Sequence, residues 1–285
     1  MKEIVEFRIG EKDSRLLFSK HEGKILGDKG IYEVRQIFLD TKDPRYLEVG
    51  KLEQKFWANG SLYFSGWDFN RKYTKSELEN AKWFQLIFMR EFEPSGEECG
   101  TVYDDTTACP ICGADAKQTN PLFLRGSSIP KSKDFSYTIA DNEFVVSRRA
   151  KEVFDRNKIT GVQFGPIIHD KRTNKPSTDW FQMFVTNSSV EIHSSAKFGN
   201  KPFDEDEKGE YRCAKGHKAG LNILSELTVQ KETLGNSDIM ATRQFVGLRA
   251  GLLRPHRLFV VSPKVRKLII ENELKGLRLE VAYSL

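Results

Sequence analysis

The chain has 285 residues, 39% of them hydrophobic, and a net charge of +5, enough for a substantial core in one large domain or two smaller ones. Its start, Met1-Lys2-Glu3-Ile4-Val5-Glu6, carries no apolar signal run, and nowhere do eighteen apolar residues follow one another. A membrane-spanning helix is thereby excluded, and the expectation is a cytoplasmic protein whose four cysteines stay reduced and available for metal.

In chain order, aromatic and branched residues mark strand-like runs at 31–38, 60–67 and 84–92. Between the last two, Thr74-Lys75-Ser76-Glu77 has the spacing of a capping box, in which Thr74 and Glu77 satisfy each other's amides at a helix start. Next comes Cys109-Pro110-Ile111-Cys112-Gly113, with Cys99 ten positions upstream and Cys213-Ala214-Lys215-Gly216-His217 about a hundred residues on. A Cys-x-x-Cys turn lets two thiolates face one ion, and zinc takes four tetrahedral ligands from sulfur and imidazole. The competing readings are a redox pair and inert core cysteines. Gly113 follows the motif at once, as in a metal knuckle, and no amphipathic helix opens there. The spacing therefore predicts one structural Zn2+ drawn from Cys99, Cys109, Cys112, Cys213 and His217. Either all four cysteines bind it, or His217 replaces Cys99 or Cys213. Asp104-Asp105, inside the Cys99 to Cys109 loop, reads as a turn former.

After a polar stretch at 117–136 that reads as a linker, Val145-Val146-Ser147-Arg148-Arg149-Ala150-Lys151-Glu152-Val153-Phe154 begins a repeat. It realigns 115 positions later with Val260-Val261-Ser262-Pro263-Lys264-Val265-Arg266-Lys267-Leu268-Ile269, and the match runs on through Asn157/Asn272 and Gly161/Gly276. In each copy an apolar strand ends at a serine fit to cap a helix, and Pro263 stands where its missing amide costs nothing. The helices place Ala150, Val153 and Phe154, or Val265, Leu268 and Ile269, on one face, and an apolar strand follows the turn glycine. Capping, not nucleophilic attack, is the role of these serines, since no base is paired with them. His169-Asp170 resembles the dipeptide of metal phosphohydrolases without their further ligands. Residues 180–186 and 189–194 read as a hairpin turning at Asn187-Ser188.

The fold expected is α+β, a zinc-knuckle insert plus two similar strand-helix-strand units at 145–166 and 260–281, in regions 1–116 and 117–285. From Arg243 to Arg278, nine Lys and Arg stand against Glu271 and Glu273. Such a segment either solvates a helix face or attracts nucleic acid or an acidic protein, and Arg249, Arg254, Lys264 and Arg266 are its candidate anion or partner contacts. Carboxylate pairing within the protein is the competing role of Arg249 and Arg254.

The knuckle at 109–113, followed by strand, Ser, helix, turn-Gly and strand at 145–166 and again at 260–281, resembles the double-CxxCG motif proteins and related immunity proteins of bacterial polymorphic toxin systems. The chain departs from that pattern in having Cys213-x-x-x-His217 where a second Cys-x-x-Cys would stand. The resemblance implies a non-catalytic, stoichiometric binder of a toxin, with no catalytic residues to carry over. The alternative is a zinc-containing nucleic-acid-binding protein that uses the basic 243–278 region.

Overall fold

The computed structural model describes residues 1–27, 33–169, 174–210, 213–247 and 249–285. They divide into two compact units, residues 1–80 with 201–204, and residues 81–200 with 205–285. This division falls well before residue 116, because the strand at 83–88 belongs to a sheet whose other members come from the end of the chain.

In the first unit β1 (Lys2–Gly10), β2 (Lys24–Leu26), β3 (Val34–Asp40) and β4 (Phe64–Lys72) form an antiparallel sheet of order β2-β3-β1-β4. The expected runs at 31–38 and 60–67 are thus β3 and β4, each displaced along the chain; residues 31 and 32 lie outside the described residues. Strand alternation puts Val5, Phe7, Ile9, Ile37 and Leu39 on one buried face. Three helices accompany the sheet: α1 (Glu11–Ser14), α2 (Arg45–Ala58) and α3 (Lys75–Asn80). The Thr74–Glu77 capping box is formed, Thr74 N donating to Glu77 Oε2 at 2.7 Å and Glu77 N to Thr74 Oγ1 at 3.2 Å. On α2, Gly50 admits the ring of Phe203, which a Cβ at position 50 would meet at 2.8 Å.

The second unit is mostly strands: β5 (Trp83–Phe88), β6 (Glu91–Phe92), β7 (Tyr103–Asp104), β8 (Lys117–Gln118), β9 (Leu122–Leu124), β10 (Phe135–Thr138), β11 (Phe144–Ser147) and β12 (Val162–His169), then β13 (Lys175–Val185). After these come β14 (Phe198–Lys201) and β15 (Asp204–Glu205), whose Lys201 and Asp204 fall in the first unit, then β16 (Lys218–Ala219), β17 (Asn222–Ile223), β18 (Thr228–Val229), β19 (Ile239–Gly247), β20 (His256–Val261) and β21 (Leu277–Ser284). Its helices are α4 (Gly96–Cys99), α5 (Arg148–Arg156) and α6 (Pro263–Glu271). No helix among the described residues is long and apolar enough to cross a membrane.

Two six-stranded sheets carry this unit, of order β6-β10-β11-β13-β12-β9 and β16-β19-β20-β5-β21-β18. They correspond position for position. In each, a short parallel strand lies at either edge, and the helix connects the two strands that flank the central one. The central strands share Trp-Phe-Gln, as Trp83-Phe84-Gln85 in β5 and Trp180-Phe181-Gln182 in β13. Gln85 lies between Val260 and Glu280, and Gln182 between Val145 and Gly165, the same places in the 115-residue repeat. The duplicated element is therefore larger than strand-helix-strand: one copy runs over 83–169 and the next over 175–284. Each copy begins with the strand that completes the other's sheet. The central strands are exchanged.

This exchange overturns two expectations. Residues 180–186 form no hairpin with 189–194; the first run is the middle of a sheet, and the second makes only the bridges Val190–Thr242 and Ile192–Val229. Nor is 117–136 a plain linker. It holds β8, β9 and the start of β10, and its Leu122, Leu124 and Ile129 are core residues.

Reciprocal hydrogen bonds join the copies. Ser147 and Ser262 cap α5 and α6 through the amides of Ala150 and Val265. Asp134 accepts from the Ser147 hydroxyl of its own copy (2.8 Å) and from Lys275 N in the other (2.9 Å). Asp238 does the same with Ser262 (3.0 Å) and Thr160 N (3.1 Å). The glycines after those turns, Gly161 (φ 84°) and Gly276 (φ 103°), sit so close to the opposite copy that a Cβ would lie 2.0 Å from the carbonyl oxygens of Ile239 and Phe135.

Gly276→Ala is expected to cost at least about 2 kcal/mol more than Gly251→Ala in urea denaturation. Both glycines have positive φ, but open space surrounds Gly251, so the excess measures the close approach of the two copies. Equal losses would refute it.

Candidate metal centre

Cys109 and Cys112 come from the first copy, Cys213 and His217 from the second, and their ligand atoms all lie within 4.8 Å of one another. Two turns present them. In the first, Gly113 N donates to Cys109 O at 2.8 Å, with Gly113 at φ 70°; in the second, Gly216 N donates to Cys213 O at 2.8 Å, with Gly216 at φ 83°. The Cys109 and Cys213 sulfurs are 3.6 Å apart, and Cys112 Sγ is 3.2 Å from His217 Nδ1. A tetrahedral ion bonded to sulfur at about 2.3 Å and nitrogen at about 2.0 Å requires S···S edges near 3.8 Å and S···N edges near 3.5 Å. Both spacings approach those edges, so the cluster can bind a metal such as zinc.

Cys109 and Cys213 are buried with Ala114 and Phe245, and Cys112 packs against them. The Phe245 ring meets the His217 imidazole edge-on, with centroids 5.4 Å apart. Amides of Cys112 and then Ile111 donate toward the Cys109 sulfur and pull its thiol well below the usual thiol range; burial pushes Cys112 up. Cys109 is thus the ligand whose anion the turn itself stabilises.

Cys99 is not part of the cluster. It ends α4, whose N-terminus is fixed by the Ser95–Glu98 capping box and by Gly96 N donating to the buried Glu143 carboxylate (2.7 Å); at Gly100 the chain turns left-handed. There burial raises the Cys99 thiol against an amide donated by Arg125. The alternatives open in the sequence close on Cys109, Cys112, Cys213 and His217.

The four basic candidates are not brought together as an anion site. Arg254 is internal, 2% exposed, pairing with Glu97 (2.9 Å) and Asp105 (3.0 Å) while its guanidinium lies 4.0 Å from the Tyr103 ring centre. Arg249 packs its stem on Gly113 and reaches Gly251 O and Asp105. Lys264 pairs with Asp238 at 3.2 Å, and Arg266 covers the Phe84 ring. Carboxylates and rings of the protein supply partners that the sequence does not pair with them. Asp104 and Asp105 do shape their loop, Asp104 accepting from Thr106 N at 2.9 Å. His169 closes β12 beside Gly126, and Asp170 lies outside the described residues.

The metal turns are therefore braced by a second contact between copies, the Arg254–Asp105–Glu97 group. Sequence reading did not find this brace, nor Asp134 and Asp238; the paired Trp-Phe-Gln triplets are the signal that would have led to the larger repeat. No protein-family model and no curated protein matches the chain.

Purified protein should contain about one equivalent of zinc, since the cluster supplies one set of four ligands. Cys109→Ser with Cys112→Ser should abolish it, whereas Cys99→Ser should leave it unchanged. Metal analysis of the three proteins checks this, and zinc lost on Cys99→Ser would contradict the ligand set.

Proposed function

We propose that the chain is a zinc-stabilised, non-catalytic binding protein that acts on a protein partner, as an immunity factor that blocks a cognate bacterial toxin. The observation that carries the proposal is the four-ligand Cys3His cluster built half from each copy. Four protein ligands fill a tetrahedral zinc, whereas catalytic zinc keeps a position open for water or substrate. An ion there ties the fold together and leaves the surface to do the work. The likeness of the knuckle and the strand, Ser, helix, Gly pattern to bacterial immunity proteins supports the same reading.

The basic 243–278 region supports nucleic-acid binding less than its charge suggests. Arg249, Arg254 and Lys264 are engaged with carboxylates, Arg257 lies over Phe245, and Arg266 lies over Phe84. Phosphate contacts need cations that can release counterions, and a paired cation has already given up most of that gain.

The test is stoichiometry. Expressed with the product of a neighbouring toxin reading frame, the protein should suppress toxicity, and in vitro protection should saturate near equal molar amounts. Changing Arg249, Arg254, Lys264 and Arg266 together to Ala should not remove a salt-resistant affinity for DNA or RNA, because none is expected. Filter binding at physiological salt checks that arm; tight binding lost in this variant would replace the protein-binder reading with the nucleic-acid one.

A further inference from the structure

Between the central strand β5, the turn joining β10 to β11, and β20 lies a hollow of about 180 Å3. Its walls include Leu86, Phe88, Tyr137, Phe144 and Phe259, with Asp141 among them. Phe144 and Phe259 occupy equivalent places in the two copies and meet at 4.8 Å. Asp141 has φ 65° and makes no ion pair among the described residues. A second carboxylate stands close: Glu91 pairs in register with Tyr137, whose hydroxyl donates to it at 3.5 Å.

We propose that this hollow binds a small organic ammonium ion, the Asp141 carboxylate supplying the counter-charge, Glu91 the supporting field, and the aromatic walls the faces that attract a cation. The other charged or titratable groups along the walls do not oppose this. The Arg257 guanidinium is turned to Thr242 O, Arg243 O and the Phe245 ring. Burial holds His256 down at about 4, so it is neutral at physiological pH. Burial first, and Glu91 second, push Asp141 up to about 6. A carboxylate held at that cost without a cation is stabilised when one arrives.

Calorimetric titration with tetramethylammonium and with n-propylammonium chloride, at fixed ionic strength, tests the proposal on the intact chain. Saturable binding is expected at pH 8, weakening as pH falls through 6 and Asp141 takes up its proton. Asp141→Asn keeps the shape and tolerates positive φ. It should weaken binding at least about tenfold, the scale of losing a charge-assisted contact, without lowering the unfolding midpoint. Glu91→Gln, at the surface, should weaken binding less. The neutral near-isostere of tetramethylammonium, tert-butanol, should bind far more weakly than the cations. Absence of saturable binding, undiminished binding by the Asp141 variant, or equal binding of the neutral isostere would each overturn the proposal. Because neither zinc content nor toxin protection enters the readout, failure here leaves the protein-binder reading where it was.

Discussion

Neither six-stranded sheet of the second unit can be completed by its own copy of the repeat. β5 lies between β20 and β21, and β13 between β11 and β12, so the middle of each sheet is supplied from the other copy. A central strand contributes two ladders of hydrogen bonds, and here its middle is buried on both faces: the neighbours Phe84 and Gln85 in β5, and Gln182 and Met183 in β13, have almost no exposure. Removing one would open two ladders at once. The second sheet cannot close without β5, which precedes every strand of the first sheet in the chain, and the remaining features either serve the junction of the copies or are placed by it.

The contacts at the junction differ in chemistry but share a direction. Asp134 and Asp238 each hold the capping serine of a helix in their own copy and a turn of the other, so one carboxylate satisfies donors on both sides. Gly161 and Gly276 let those turns approach a carbonyl where any side chain would collide. Arg254 carries its charge from the second copy into a pocket of the first, which is tolerable only because Glu97, Asp105 and the Tyr103 face meet it there. The metal cluster fits this series. With two candidate ligands from each copy, an ion held there would close a loop of about a hundred residues, and binding energy of that kind is folding energy.

Much of this was legible along the sequence where the signal is local. Ser147 and Ser262 as caps, the two helices, the turn glycines and the Thr74–Glu77 box depend on residues within a few positions of each other, and they stand as read. The knuckle was legible because Cys-x-x-Cys-Gly is a local geometry; the choice among Cys99, Cys213 and His217 was not, since it depends on which loop returns across the fold. Strand partners failed for the same reason. Residues 180–186 look like half of a hairpin until the other sheet strands, one from 144–147 and one from 162–169, are seen to claim both edges. For the 243–278 segment, carboxylate pairing of Arg249 and Arg254 stands as read, but composition only counts cations and does not name the partners, which lie more than a hundred residues away.

If the ion ties the exchanged copies, calorimetric unfolding of zinc-loaded and chelated protein should differ across the whole second unit. Losing a ligand present at about a thousand times its dissociation constant removes about 4 kcal/mol, which in a domain of this size lowers the midpoint by roughly 10 °C. The account predicts that shift as a single cooperative transition moving to lower temperature. A transition that keeps its midpoint after the zinc has been removed would contradict it.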